Sequence, residues 1–133
     1  EKTLIHRKAS AMGRLLFLGQ VPHIRLYPII QGARLVTLPS LIDNLPNTLL
    51  EAMAFGKPVV GTMGASFDEV ISDNVNGFLV PPGNSTALAN KMIEAWHHPD
   101  LDGIGKAARQ KIPEFSPDTI IPRLMEFYED ARK

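Results

Sequence analysis

The sequence predicts an α/β domain with a parallel sheet flanked by helices. Short apolar runs alternate with amphipathic stretches of helical period, and glycines or prolines punctuate the joints between them. Of its 133 residues 44% are hydrophobic and 21% charged, a globular rather than a disordered balance. A chain of this length buries roughly two-thirds of its unfolded surface, enough for a single core.

The elements follow in order. Residues 3–12 read as a helix ending at Gly13. Leu15-Leu16-Phe17-Leu18 reads as a short buried strand, closed by Gly19-Gln20-Val21-Pro22. A helix from about His23 to Gln31 is weakened or kinked by Pro28. Arg34 to Leu38 is the next strand, broken by Pro39-Ser40. Pro46 to Phe55 is a helix with Gly56 as its stop. Lys57-Pro58-Val59-Val60-Gly61 gives a third strand and Gly77 to Val80 a fourth. After Pro81-Pro82-Gly83 the pattern is all helical. Ser85 can cap a helix over 85–98 with the stripe Leu88, Ala89, Met92, Ile93 and Trp96, where Trp96 is expected in the core. Ser116-Pro117-Asp118 opens a helix over 116–131 with the stripe Ile120, Ile121, Leu124, Met125 and Tyr128. These two helices are expected to close a sheet of strands near 15–18, 34–38, 57–60 and 77–80. No repeat or linker divides residues 1–133, which read as one domain.

Charge and composition exclude several functions. Lys and Arg (14) equal Asp and Glu (14), so no basic field exists to hold nucleic acid or anionic lipid. The absence of cysteine removes disulfide scaffolds and Cys-based zinc sites. No apolar run approaches the ~20 residues that span a bilayer. Glu1 starts without a Met or a leader, which suggests a fragment. His6, His23, His97 and His98 lack metal-ligand spacing, so no metal is expected. Ser40 lacks the glycine flanks of a nucleophile elbow. Gly56, Gly61 and Gly64 do not form a dinucleotide fingerprint, Gly103-Ile104-Gly105 follows no strand, and there is no phosphate-loop lysine motif.

One segment carries chemistry, Pro39 through Val60. It reads as strand, polar loop, helix and strand, with the loop at the carboxyl end of a strand, the edge where ligands bind in open α/β sheets. The helix starting near Pro46 aims the free N–H groups of Asn47 and Thr48 into that crevice, an arrangement that attracts phosphate. Two acids bracket the helix start, Asp43 in the loop and Glu51 within an apolar run. A carboxylate can accept hydrogen bonds from both hydroxyls of a ribose diol. From spacing alone, however, a solvated-face role for Glu51 and a turn-forming role for Asp43 stand ahead of a ligand role.

The same segment resembles the nucleotide-sugar signature of the retaining GT-B, or "group 1", glycosyltransferases. That signature has two glutamates separated by seven residues, then Ala-Met-Ala-x-Gly-x-Pro-Val-Val. Glu51 matches the second glutamate, and Ala52-Met53-Ala54-Phe55-Gly56-Lys57-Pro58-Val59-Val60 matches the tail. Asp43 stands at the first glutamate, keeping the carboxylate with a shorter reach. Phe17-Leu18-Gly19-Gln20-Val21 is similar to the family's strand and turn beside the nucleobase. Gly64 through Glu69, Asn76-Gly77-Phe78-Leu79-Val80-Pro81 and Ala87-Leu88-Ala89 resemble later blocks in the right order. The match covers about residues 14–95.

The resemblance implies a Rossmann-like parallel sheet, the C-terminal donor-binding half of a GT-B enzyme truncated at its N-terminus. It implies that Asp43, the candidate catalytic residue, faces the donor sugar. Asn47 and Thr48 would hold the diphosphate through their N–H groups, Glu51 the ribose, and backbone groups of Gln20 and Val21 the base. It implies a nucleotide-diphosphate sugar as donor, no cofactor, no metal, and transfer with retention of configuration to a glycan or lipid-linked acceptor held by an N-terminal domain. The matching location is cytoplasmic, peripheral at the inner membrane in a full-length parent, as befits polysaccharide biosynthesis. By the resemblance, the family's diphosphate-binding Arg/Lys pair would lie upstream of this chain's start, and Arg14, expected on the opposite edge of the sheet, would not replace it. An isolated chain of this kind is expected to be inactive. The alternative is a non-catalytic interaction or regulatory module of the same fold; retention of Asp43, Glu51 and the helix between them favours the enzyme.

Overall fold

The computed structural model describes residues 15–132. The helix expected over 3–12, with His6 and Arg14, lies outside them. Three of the predicted strands form: β1 (Val36–Leu38), β2 (Val59–Thr62) and β3 (Phe78–Val80). They pair in parallel in the order β1-β2-β3, Val36 opposite Val59 and Val60 opposite Phe78. Every residue of the central strand β2 is buried, as a parallel strand covered on both faces requires.

Side chains alternate along a strand, so Val59 and Val60 enter different cores. Val59 packs with Leu49, Met53, Phe67 and Ile71. Val60 packs with Phe78, Ala95, Leu101 and Ile104 on the other face. The sheet is flanked by α1 (His23–Gly32), which adds Ile30 to the first core, α2 (Asn47–Ala54), which supplies Leu49 and Met53, and, on the second core, α3 (Ser85–Trp96) and α4 (Leu101–Lys111). A 3₁₀ turn, Ile112–Phe115, leads into α5 (Pro117–Asp130). In α2, Leu49, Ala52 and Met53 form the buried stripe that i, i+3, i+4 spacing dictates. Gly56 ends this helix as expected: it takes φ +67°, and its N–H donates to the Met53 carbonyl at 2.8 Å. Pro28 lies inside α1, which continues past it to Gly32.

Four expectations are corrected. Leu15 to Leu18 form no strand and are 43–79% exposed. A strand exists through its neighbour's hydrogen bonds, and the sheet of described residues ends at β1 without reaching this run. The cap of α3 is Asn84, whose side chain accepts from the Ala87 N–H at 2.8 Å, while Ser85 is already helical. Trp96 is not a core residue but about half exposed, with the Arg34 guanidinium 4.8 Å from its ring centroid and Arg34 Nη2 donating to its carbonyl oxygen at 3.1 Å. Finally, α5 starts where predicted but closes nothing. It packs on the 3₁₀ turn and buries no residue, leaving Ile120, Ile121, Leu124, Met125 and Tyr128 exposed.

The sequence reading also passed over α4. Asp100 caps it by accepting from the Gly103 N–H at 3.0 Å, and Leu101, Ile104, Gly105 and Ala108 are its buried face. Two glycines of poor helix propensity hid this pattern.

Candidate functional site

The predicted site residues Asp43, Asn47, Thr48 and Glu51 lie where β1 gives way to α2. Pro39 and Ser40 stop the strand, and the chain crosses the carboxyl edge of the sheet through Leu41 to Pro46. Leu45 takes φ +52°, a left-handed conformation that L-residues other than Asn, Asp and Gly adopt rarely. Pro46 then stands at the N-cap position of α2 with no side-chain cap. Its carbonyl accepts from the Leu49 N–H at 2.9 Å. The N–H groups of Asn47 and Thr48 have no acceptor among the described residues, as the first turn of an uncapped helix leaves them.

Asp43 belongs to the loop before this helix. Its Oδ1 accepts from the next residue's N–H, that of Asn44, at 2.9 Å. Its carbonyl oxygen accepts from Ser66 Oγ at 3.3 Å. Ser66 has φ +58° and lies in the turn after β2, so the loops following β1 and β2 are tied together at Asp43. The sequence reading missed Ser66; nothing short of the long-range contact itself singles it out.

Glu51 lies on α2, one turn in from Asn47, with 20% of its side chain exposed. Its Oε1 is 3.6 Å from Nδ1 of His23, the first residue of α1. Its Oε2 is buried and has no hydrogen-bond partner among the described residues. A buried carboxylate oxygen left unpaired carries a desolvation cost that a hydroxyl donor would remove. The solvated-face reading of Glu51 therefore fails. Gln20 and Val21 form the turn leading into α1, so the structure brings the start of that helix and Glu51 together, and it separately ties Asp43 to the turn after β2.

A cleft of about 320 Å³ opens at the same carboxyl edge, between Pro39, Thr62, Val80, Asn84, Ser85 and Leu88. None of Asp43, Asn47, Thr48, Glu51, Gln20 or Val21 is among its walls. Thr62 and Val80 are the last residues of β2 and β3, and their place at a strand end was the available signal for them. Among the described residues no group of three or more His, Asp or Glu side chains could hold a metal ion, and no helix is long and apolar enough to cross a membrane.

A family model described as "Glycosyl transferases group 1" matches residues 1–98. The chain belongs to the group 1 glycosyltransferases. Its fold is the Rossmann-like sheet of a GT-B C-terminal domain. Among group 1 relatives, the amylovoran biosynthesis glycosyltransferase AmsK of Erwinia amylovora is 32% identical over 84% of this chain and 29% of its own. A putative glycosyltransferase of Bacillus subtilis, EpsD, is 29% identical over 91% of this chain and 32% of its own. Among solved structures, Anabaena HepE in complex with UDP superposes with a TM-score of 0.80 at 27% identity, covering 96% of this chain and 36% of that one. The group 1 segment described here thus spans about a third of the length of the curated relatives it matches.

Proposed function

We propose that this chain is the donor-binding part of a glycosyltransferase, and that it binds a nucleoside diphosphate sugar at the start of α2. The observation that carries the reading is the buried, unpartnered Oε2 of Glu51 one turn from the free N–H groups of Asn47 and Thr48. A ribose hydroxyl satisfies the first, and a diphosphate the second, with the helix dipole adding to its attraction. Structures of the Anabaena relative contain UDP and UDP-glucose, which supports a donor of this class.

In this reading no metal or cofactor takes part, and the diphosphate charge is met by the helix start and by cationic side chains of the complete protein. Asp43 faces the sugar. The bond between the anomeric carbon and the diphosphate oxygen breaks, and an acceptor hydroxyl attacks from the same face. Its proton passes to the departing phosphate oxygen, and configuration is retained. The acceptor is a glycan or a lipid-linked sugar held by a further domain of the protein, which works at the cytoplasmic side of a membrane in polysaccharide biosynthesis.

Calorimetric titration of the complete protein carrying this chain with UDP, GDP and ADP tests the reading. One of the three binds, and Glu51→Gln weakens it about tenfold, because a hydrogen bond to a charged group contributes ~1.5–3 kcal/mol. Unchanged affinity in the variant leaves Glu51 with no part in nucleotide binding and removes the proposed site.

A further inference from the structure

We propose that His23 is a positioning residue for Glu51, holding one carboxylate oxygen through its protonated ring so that the other is presented to the ribose. The inference rests on the nucleotide reading above and adds to it a residue from a different helix.

His23 Nδ1 is shared between two oxygens, Glu51 Oε1 at 3.6 Å and the Tyr27 hydroxyl at 3.2 Å. The Tyr27 ring meets His23 edge-on, with centroids 5.4 Å apart, and its other neighbour is Phe55, 5.8 Å away. Phe55 is the C-cap residue of α2. The imidazole therefore stands on an aromatic support anchored to the helix that carries Glu51. The His23 side chain is 63% exposed and that of Glu51 20%. The ring is open to water, while the oxygen it faces belongs to a largely buried carboxylate.

Among the described residues the groups facing the ring are Glu51 from α2 and Tyr27 from its own helix. The turn from Gly19 to Pro22 brings no titratable side chain. Arg25 is two positions away on α1 and so points off to another side. A doubly protonated ring donates its Nδ1–H toward Oε1, and charge strengthens that contact. A neutral ring divides between two tautomers. In the one with a bare Nδ1, the tyrosine hydroxyl turns to donate to the ring, and a lone pair faces Oε1. Glu51 then loses its fixed partner and regains rotamer freedom, which ligand binding must remove again.

The test is calorimetry of the complete protein with UDP, or with GDP or ADP where one of those binds more tightly, between about pH 5.5 and pH 8.5, the range in which imidazoles titrate. The diphosphate itself ionises in this range, so the wild type is compared with His23→Gln at each pH. The wild type binds about threefold more tightly at the acid end, the size of a partly exposed ion pair, and the ratio falls toward one at the alkaline end. His23→Lys, charged throughout, keeps the acid-end affinity and shows no such fall. If Glu51→Gln weakens binding while His23→Gln matches the wild type at every pH, the role of His23 is overturned and the nucleotide site stands. If the wild type binds none of the three, or Glu51→Gln binds as tightly as wild type, the site itself falls and this inference with it.

Discussion

Gly105 of α4 rests against the carbonyl oxygen of Gly56, the residue that ends α2. A Cβ placed on Gly105 would overlap that oxygen and stand 3.2 Å from Pro58 Cδ. Two backbones meet here with no side chain between them. The approach fixes the C-terminal end of the helix whose first turn forms the candidate site, and it fixes the start of β2 beyond it. The glycine is thus a packing requirement rather than a defect of α4.

Gly105→Ala is therefore expected to destabilise the domain. Alanine improves helix propensity by about 1 kcal/mol. Opposing this, overpacking against backbone typically costs ~1–3 kcal/mol and forces the two helices apart. Gly103→Ala is the comparison, since its Cβ would meet not backbone but the carboxylate of Asp100, a side chain able to rotate away at the cost of its cap on the Gly103 N–H, ~1 kcal/mol. Thermal unfolding should show a lower Tm for Gly105→Ala than for Gly103→Ala; the reverse order would mean that the helix contact is not tight.

The sheet was legible in the sequence because its strands are apolar runs bounded by Pro and Gly, and Val59 and Val60 are buried whichever face they choose. The run Leu15 to Leu18 has the same composition and misled, because composition does not say whether a neighbouring strand is there to pair with. The apolar stripe of α5 likewise announces a face to be covered without saying by what. Helix α4 was hidden for the opposite reason: Gly105 is demanded by a tertiary contact that no local pattern contains, and Gly103 adds a second poor helix former. At the candidate site, the free N–H groups of Asn47 and Thr48 were legible as a helix start, whereas spacing alone favoured a solvated face for Glu51 and only the family resemblance singled it out. His23 and Ser66 were not legible, since each reaches its contact from a distant part of the chain, Ser66 over a separation of 23 residues from Asp43.

Asp43→Asn separates loop shape from charge. The amide oxygen still accepts from the Asn44 N–H, so the turn before α2 keeps its form, and the Asp43 carbonyl still accepts from Ser66 Oγ. What is lost is the negative charge that the proposed function places beside the donor sugar. Turnover in the complete protein should fall by about a hundredfold, a size typical of one removed electrostatic contact to a transition state. Affinity for the free nucleoside diphosphate, which has no sugar, should stay as it was. Steady-state kinetics beside calorimetry reads both, and a loss of nucleotide affinity equal to the loss of turnover would move Asp43 from the sugar to the nucleotide.

Asn47→Pro isolates a single N–H group. Asn47 is the first helical residue of α2, the position where proline is best tolerated, because its fixed φ suits the helix and no intrahelical bond needs its N–H. The preceding residue must be extended when proline follows, and Pro46 already is, at φ −65° and ψ 132°. The substitution thus leaves the helix in place and removes one donor from the proposed diphosphate cradle. Thermal stability should change by less than about 1 kcal/mol. Affinity for the nucleoside diphosphate should drop about tenfold, the worth of one charge-assisted hydrogen bond, while a nucleoside lacking phosphates binds as before. Should the variant bind the diphosphate as tightly as wild type while remaining folded, the Asn47 N–H does not touch phosphate, and the charge must be met by Thr48 and side chains outside α2.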